Sequence, residues 1–251
     1  MCSAIYKFDR PLEHGVIISR PNRFLMIVKK EDAVIVCHCP STGKIGRVIF
    51  DSVPCLLSSS PDVKRKTTHT VEAISVNGAK SWIGINQNAA NRYIEHFFRI
   101  GALSGVVSNG HILREQRIGG SKLDFRMGNI YVEVKMPLQF LALSESDLPS
   151  GMECVNSAER FVRHVAELEQ CCRKNENSAL MLLCFVYDAP IFTPPVRTVQ
   201  NKIIGDAVRQ SLNAGVKIWQ VNMSIDSSGV KLLKYFDITD HLISGMNFSP
   251  K

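Results

Sequence analysis

The sequence predicts an α+β protein of two domains: a small basic β-barrel or sandwich over residues 1–85, followed by a mixed α/β domain over residues 86–251. Three observations predict this division. From His14 to about Ile85 short β-like runs follow one another between turn residues, and beyond an Asn-rich helix start the pattern changes to alternating strands and helices. The charge is divided in the same way, since residues 1–92 hold 13 Lys and Arg against 7 Asp and Glu, while the rest holds 17 against 16.

In the first half the β-like runs are GVIIS, RFLMIV, AVIVC, GRVIF, HTVEAIS and SWIGI, separated by Pro, Gly, Ser, Asn or Asp. Regular short strands of this kind suggest a small barrel or sandwich. Their number and basic charge fit an oligonucleotide-binding (OB) type of fold, although pattern alone does not separate it from other small barrels. The stretch INQNAANRYIEHFFRIG then opens a helix, with Asn86 or Asn88 able to cap it and Ile94, Phe97 and Phe98 forming its apolar stripe before Gly101.

The second half reads as strands HILREQRI, SKLDFRM and IYVEVKM, a loop over 144–151, a helix from about Ser157 to Lys174, the buried-looking strand ALMLLCFVY, a helix near Val199 to Asn213, and the strand VKIWQVNMSI. Strands and helices alternating in this way build a sheet covered by helices.

Bulk properties exclude several classes. No run of about 18 apolar residues is present, and charges stand in MCSAIYKFDRPLE where a secretory leader needs an apolar block, so a cytoplasmic protein with no membrane partner is expected. The eight cysteines show no CxxC spacing and lie mostly in apolar runs, as reduced core thiols do. In Cys37-His38-Cys39, strand alternation sends the cysteines to one face and the histidine to the other, which argues against zinc.

The segment SKLDFRMGNIYVEVK carries the candidate chemistry. Alternation places Leu123, Phe125, Met127, Ile130, Val132 and Val134 on one face and Lys122, Asp124, Arg126, Tyr131, Glu133 and Lys135 on the other. With Gly128-Asn129 as a two-residue turn, Met127 pairs with Ile130 and Asp124 falls opposite Glu133. Two carboxylates so placed repel unless a cation lies between them, and Mg²⁺ or Mn²⁺ needs only a few carboxylate oxygens plus water and phosphate. Lys135 then sets an ammonium beside a metal-activated water. The alternative for the same residues is a salt-bridge lattice, with Lys122 opposite Lys135 and each reaching an acid diagonally.

The basic barrel offers the complementary surface. Arg20 and Arg23 flank Pro21-Asn22, Arg65 and Lys66 lie in a loop before HTVEAIS, and with Lys44 they make a groove for the phosphates of DNA. Phe24 serves either as a stacking platform, if exposed, or as core. No helix-turn-helix or zinc finger is present, so contacts should be non-specific and salt-sensitive.

These segments, with RPNRFL, HCPSTGKIG, WIGINQNAANR, SKLDF, YVEVK and RFVRHVAEL, resemble the sugar fermentation stimulation protein (SfsA) family over most of the chain. The resemblance implies non-specific DNA binding, an N-terminal OB-like domain and a C-terminal domain similar to the PD-(D/E)xK nucleases. It implies Asp124 and Glu133 as metal ligands with Lys135 beside them, Glu115 as a further acid of the metal shell, and Arg160 and His164 as phosphate contacts on one helical face. The chain departs from the family after Lys135, where MPLQFLALSESDLPSGMECVNS replaces the usual segments.

Overall fold

The computed structural model describes residues 4–41, 43–62, 64–108, 110–118, 121–138, 141, 158–173, 177–193 and 199–246, without the side chains of 118, 121, 158–164, 199–205, 245 and 246. Five strands form the barrel: β2 (Glu13–Asn22), β3 (Leu25–Lys30), β4 (Ala33–His38), β5 (Val53–Ser59) and β6 (His69–Ile74). They pair in the order β4-β3-β2-β5-β6, and a parallel contact of β4 with β6, Cys37 beside His69 and His38 beside Thr70, closes the ring. Closure removes the free sheet edges that so short a set of strands would otherwise expose.

Alternation fills the barrel as expected: Ile17, Met26, Val28, Cys37, Cys55 and Leu57 point inward and are buried. The six cysteines among the described residues are all unbridged. One expected strand is corrected. GRVIF is not a strand, although Val48 and Phe50 are half-buried and Ile49 is exposed, because Gly46 turns the chain at φ +50 and no partner strand lies beside it. The fourth barrel strand is instead the Pro-containing VPCLLSS, in which Pro54 sits at the second position of β5, near the strand end where a missing N–H is tolerated.

From β6 the chain passes through β7 (Ile83–Gly84) into α1 (Gln87–Arg99). Asn86 caps the helix, its side chain accepting from Ala89 N at 3.2 Å, while its Nδ2 donates to Glu72 Oε2 at 2.7 Å. Glu72 is a buried barrel residue whose other oxygen accepts from Ser58 at 2.6 Å. One Asn side chain therefore starts the helix and satisfies a buried acid in the barrel wall.

The second sheet has seven strands in the order β1-β13-β12-β11-β10-β9-β8. These are β1 (Ile5–Lys7), β8 (Ile112–Ile118), β9 (Ser121–Met127), β10 (Ile130–Lys135), β11 (Ser178–Phe185), β12 (Lys217–Ile225) and β13 (Gly229–Asp237). β10, β11 and β12 run parallel and the other neighbours antiparallel. Helices α2 (Ala158–Arg173) and α3 (Val199–Asn213) supply the crossovers that parallel neighbours require. Together with α4 (Thr239–Met246) they cover one face around Leu168, Met181, Leu183, Val208 and Leu242. The other face joins α1 and the barrel in one continuous core. β11, buried on both faces, is accordingly an unbroken apolar run. β1, from the first residues of the chain, pairs with β13 rather than with the barrel.

Replacing Asn86 by Ala removes a cap and leaves a buried Glu72 oxygen unsatisfied, so urea unfolding should show a loss of about 2–4 kcal/mol. The exposed Asn88, replaced in the same way, should change stability by no more than about 0.5 kcal/mol.

Candidate functional site

β9 and β10 form a hairpin around Gly128, whose φ of +60 suits the first position of the tight turn that the sequence predicts. The expected register holds for Met127 with Ile130, Arg126 with Tyr131 and Phe125 with Val132. There the ladder stops, one pair short of Asp124 and Glu133. Continued pairing would send the Val134 N–H to the main chain of β9; it donates instead to Asp124 Oδ2 at 2.8 Å. The carboxylate thus stands in for a backbone acceptor and parts the two strands.

This break reverses the strand's faces. Phe125 and Met127 belong to the core shared with α1 and the barrel, whereas Leu123 packs with Tyr131 under α2 and α3. The face expected to be polar is largely covered: Tyr131 is buried with the Arg126 guanidinium 5.3 Å from its ring centre, and Glu133 is 1% exposed. Glu133 stands beside Met181 of β11 on the helix-covered side. Asp124 points into the gap between the strands, where Asn91 of α1 reaches it from the other face and donates from Nδ2 to Oδ1 at 2.6 Å.

The two acids are electrostatically coupled across this gap. Burial is the first cause that pushes the Asp124 carboxyl up to about 6, and the Glu133 charge is the second; the Val134 N–H, the Asn91 amide and the Lys135 ammonium pull the other way. Lys135, half-buried, makes an ion pair with Glu133 Oε1. Asp124 is therefore within electrostatic reach of Glu133 and Lys135, but the acids approach from different sides of the sheet and not as a facing pair on one polar face, because the ladder ends before they can pair.

Glu115 is not part of this group. It lies on β8 with φ +55, and its exposed carboxylate pairs with Lys122, which holds it well below the usual carboxylate range. Lys122 accordingly pairs with Glu115 of β8, while Lys135 pairs with Glu133 on its own strand. The side chains of Arg160 and His164, on α2, lie outside the described residues, as does most of the divergent segment after Lys135.

Among the described residues no three His, Cys, Asp or Glu side chains converge as a metal cage. Two carboxylates and a backbone-anchored geometry fit a hard divalent cation that keeps waters or phosphate oxygens, and they do not fit zinc. Asn91 was missed from sequence because an Asn in a helix-opening run reads as a capping residue. Its spacing, three residues before Ile94 and seven before Phe98 of the apolar stripe, is a signal that could have placed it on the inward side.

In the barrel, Arg20 is spent internally: its Nη2 donates to Ser41 O at 2.7 Å and Gly43 O at 3.0 Å, tying the loop that carries Lys44 to the end of β2. Arg23 and Phe24 form the β2–β3 turn, shaped by Asn22 Oδ1 accepting from Phe24 N at 2.8 Å. The turn is exposed, with the Arg23 guanidinium 4.6 Å from the Phe24 ring centre, so Phe24 is not core. Arg65 donates to Thr70 Oγ1 at 3.2 Å, and Thr70 pairs with His38, which pairs with Leu25 beside that turn. The closing strands therefore bring Arg23, Phe24, Arg65 and its exposed neighbours Lys64 and Lys66 to one end of the barrel.

Residues 18–85 match the profile of the SfsA N-terminal OB domain, and residues 88–229 match that of the sugar fermentation stimulation protein RE domain. Among curated relatives, sugar fermentation stimulation protein homologs of Synechococcus sp. strains JA-3-3Ab and JA-2-3B'a(2-13) are 30% and 29% identical, each over 91% of this chain and 93% of the relative. The homolog of Clostridium tetani is 26% identical over 89% of this chain and 95% of its own length. The solved structure of Pyrococcus furiosus SfsA in complex with Ca²⁺ superposes with a TM-score of 0.72 at 19% identity, covering 94% of this chain and 98% of that one. With a closed five-strand barrel leading into a mixed sheet, and profile matches over most of its length, this chain belongs to the sugar fermentation stimulation protein family.

Proposed function

We propose that this protein binds DNA through the basic end of its barrel and hydrolyses phosphodiester bonds at Asp124, Glu133 and Lys135 with Mg²⁺ or Mn²⁺. The observation that carries the reading is the gap in the β9–β10 ladder, where the half-buried Asp124, its proton affinity raised by burial and by the charge of the buried Glu133, lies with Lys135 nearby. Like charges held together at such a cost are characteristic of functional sites. The Ca²⁺ complex of the P. furiosus relative, a hard divalent cation on the same fold, supports the same choice of ligand here.

In this reading Asp124 and Glu133 hold the cation, which polarises the phosphate and acidifies a bound water. Lys135 supplies positive charge next to the ligands and offsets the charge that builds up on the phosphorane-like transition state. The barrel holds the strand by phosphate contacts from Arg23, Lys44, Arg65 and Lys66, with the exposed Phe24 ring available for a base. A reducing, cytoplasmic setting belongs to the same reading, and the unbridged cysteines among the described residues support it. A second reading follows from the Lys135–Glu133 ion pair: the charges only brace the sheet, and the protein is a non-catalytic, non-specific DNA-binding regulator linked to sugar metabolism.

Labelled single- and double-stranded DNA incubated with Mn²⁺ separates the two. The nuclease reading expects cleavage that EDTA abolishes and that Asp124→Ala lowers by at least about 100-fold; binding without cleavage in every lane leaves the regulator. Cation binding requires the ionised Asp124, whose carboxyl is pushed up to about 6, so Mn²⁺ affinity measured by calorimetry should rise from pH 5 to 7 and then level off.

The barrel is tested by DNA affinity against salt. Arg23→Ala should make the slope of log affinity against log salt shallower by about 0.7–0.9. Arg20→Ala, which loses bonds to main-chain carbonyls, should lower stability more than it changes the slope. Unchanged slopes for Arg23→Ala, Arg65→Ala and Lys66→Ala would remove the barrel from the DNA interface.

A further inference from the structure

Helix α1 crosses the second sheet with three polar side chains at four-residue spacing on one face; one reaches the main chain just past β10 and the other two reach β9 and β8. Gln87 Nε2 donates to Met136 O, just past β10, at 3.1 Å. Asn91 Nδ2 donates to Asp124 Oδ1 on β9 at 2.6 Å. Glu95 Oε2 accepts from Arg114 Nη1 on β8 at 3.3 Å. The buried Ala89 and Ala90, between the first two, allow the helix to lie close against the sheet.

Two of these contacts end on ordinary partners, a main-chain carbonyl and an exposed arginine. The middle one ends on the acid that interrupts the ladder. Asp124 is thereby held from two directions, Oδ1 by the helix and Oδ2 by the Val134 N–H. A carboxylate accepts through about four lone-pair sites, so two donors fix its orientation and leave each oxygen a site for a cation. The amide orientation follows from the same chemistry, because an ionised carboxylate accepts only and Asn must present its NH₂.

We infer that Asn91 is a positioning residue for the divalent-cation site: it acts through Asp124, setting the carboxylate before the ion arrives, and touches neither ion nor DNA itself. This assignment rests on the cation site proposed above and adds to it a residue from a helix whose cap is bonded to the barrel. Residues that orient a ligand in this way typically contribute about 10–100-fold to metal affinity.

The test is Mn²⁺ calorimetry on the full chain, beside urea unfolding without metal and DNA affinity in EDTA. Asn91→Ala should weaken Mn²⁺ binding by about 10–100-fold and leave metal-free DNA affinity within about threefold of the unaltered protein. Glu95→Ala, on the same face and one turn on, should lower stability yet leave Mn²⁺ affinity within about threefold, which a purely structural role for the stripe does not predict. Should Asn91→Ala unfold, Asn91→Ser keeps a polar group there but is too short to reach Oδ1, and it should weaken Mn²⁺ binding likewise. If Asp124→Ala abolishes Mn²⁺ binding while both Asn91 variants stay within about threefold, the assignment of Asn91 is overturned alone. If Asp124→Ala binds Mn²⁺ as before, the cation site itself is overturned.

Discussion

Two carboxylates lie where β9 and β10 cease to pair, and much of the second domain is arranged around holding them there. Asp124 takes a main-chain N–H that a regular hairpin would have used in its ladder, and Glu133 sits buried between β11 and the covering helices. The arrangement disfavours ionisation of Asp124: its carboxyl rises from an unfolded value near 4 to about 6. A group whose pKa is raised on folding contributes stability below its unfolded pKa and loses it as pH climbs through the folded one. At neutral pH the fold therefore carries this strain in full, and a divalent cation between the acids would relieve it.

The rest of the molecule explains how such a site stays in place. The sheet continues on both sides of the gap, with β10 paired to β11 along its whole length and β9 paired to β8. On one face α1 bonds to β8, to β9 and to the main chain just past β10, and on the other Tyr131 packs into the cluster under α2 and α3. Asn86 links that brace to the barrel through Glu72, and Gly84 N donates to Val186 O at 2.9 Å as the chain leaves the barrel for the sheet. A Cβ at Gly84 would lie 2.6 Å from that of Val186, so the passage is closely packed. Barrel and sheet share one core, and the basic end of the barrel and the acid pair belong to one mechanical unit.

What the sequence disclosed, and what it withheld, follow from the same physics. The hairpin, its turn at Gly128 and its register to Phe125 and Val132 were legible because a two-residue turn and a period of two leave no freedom between them. The counting failed at Leu123, since parity assumes that pairing continues, and an Asp side chain that replaces a backbone acceptor ends it. GRVIF alternates as well as any strand but has no neighbour to pair with, while VPCLLSS was hidden by its proline. β1 spans three residues, too few for any period to show, and β13 and α4 lay beyond the clear signals. Glu115 and Arg20 had the residue types of ligands. Local backbone geometry gave them other partners, and no spacing rule reports a positive φ or a loop carbonyl within reach.

The most direct measurement is the anomalous diffraction of crystals soaked in Mn²⁺. The predicted result is a single strong peak in the gap between β9 and β10, within about 2–2.6 Å of a carboxylate oxygen of Asp124 and one of Glu133. Saturated crystals with no peak there, or with the two carboxylates too far apart to share an ion, would contradict it.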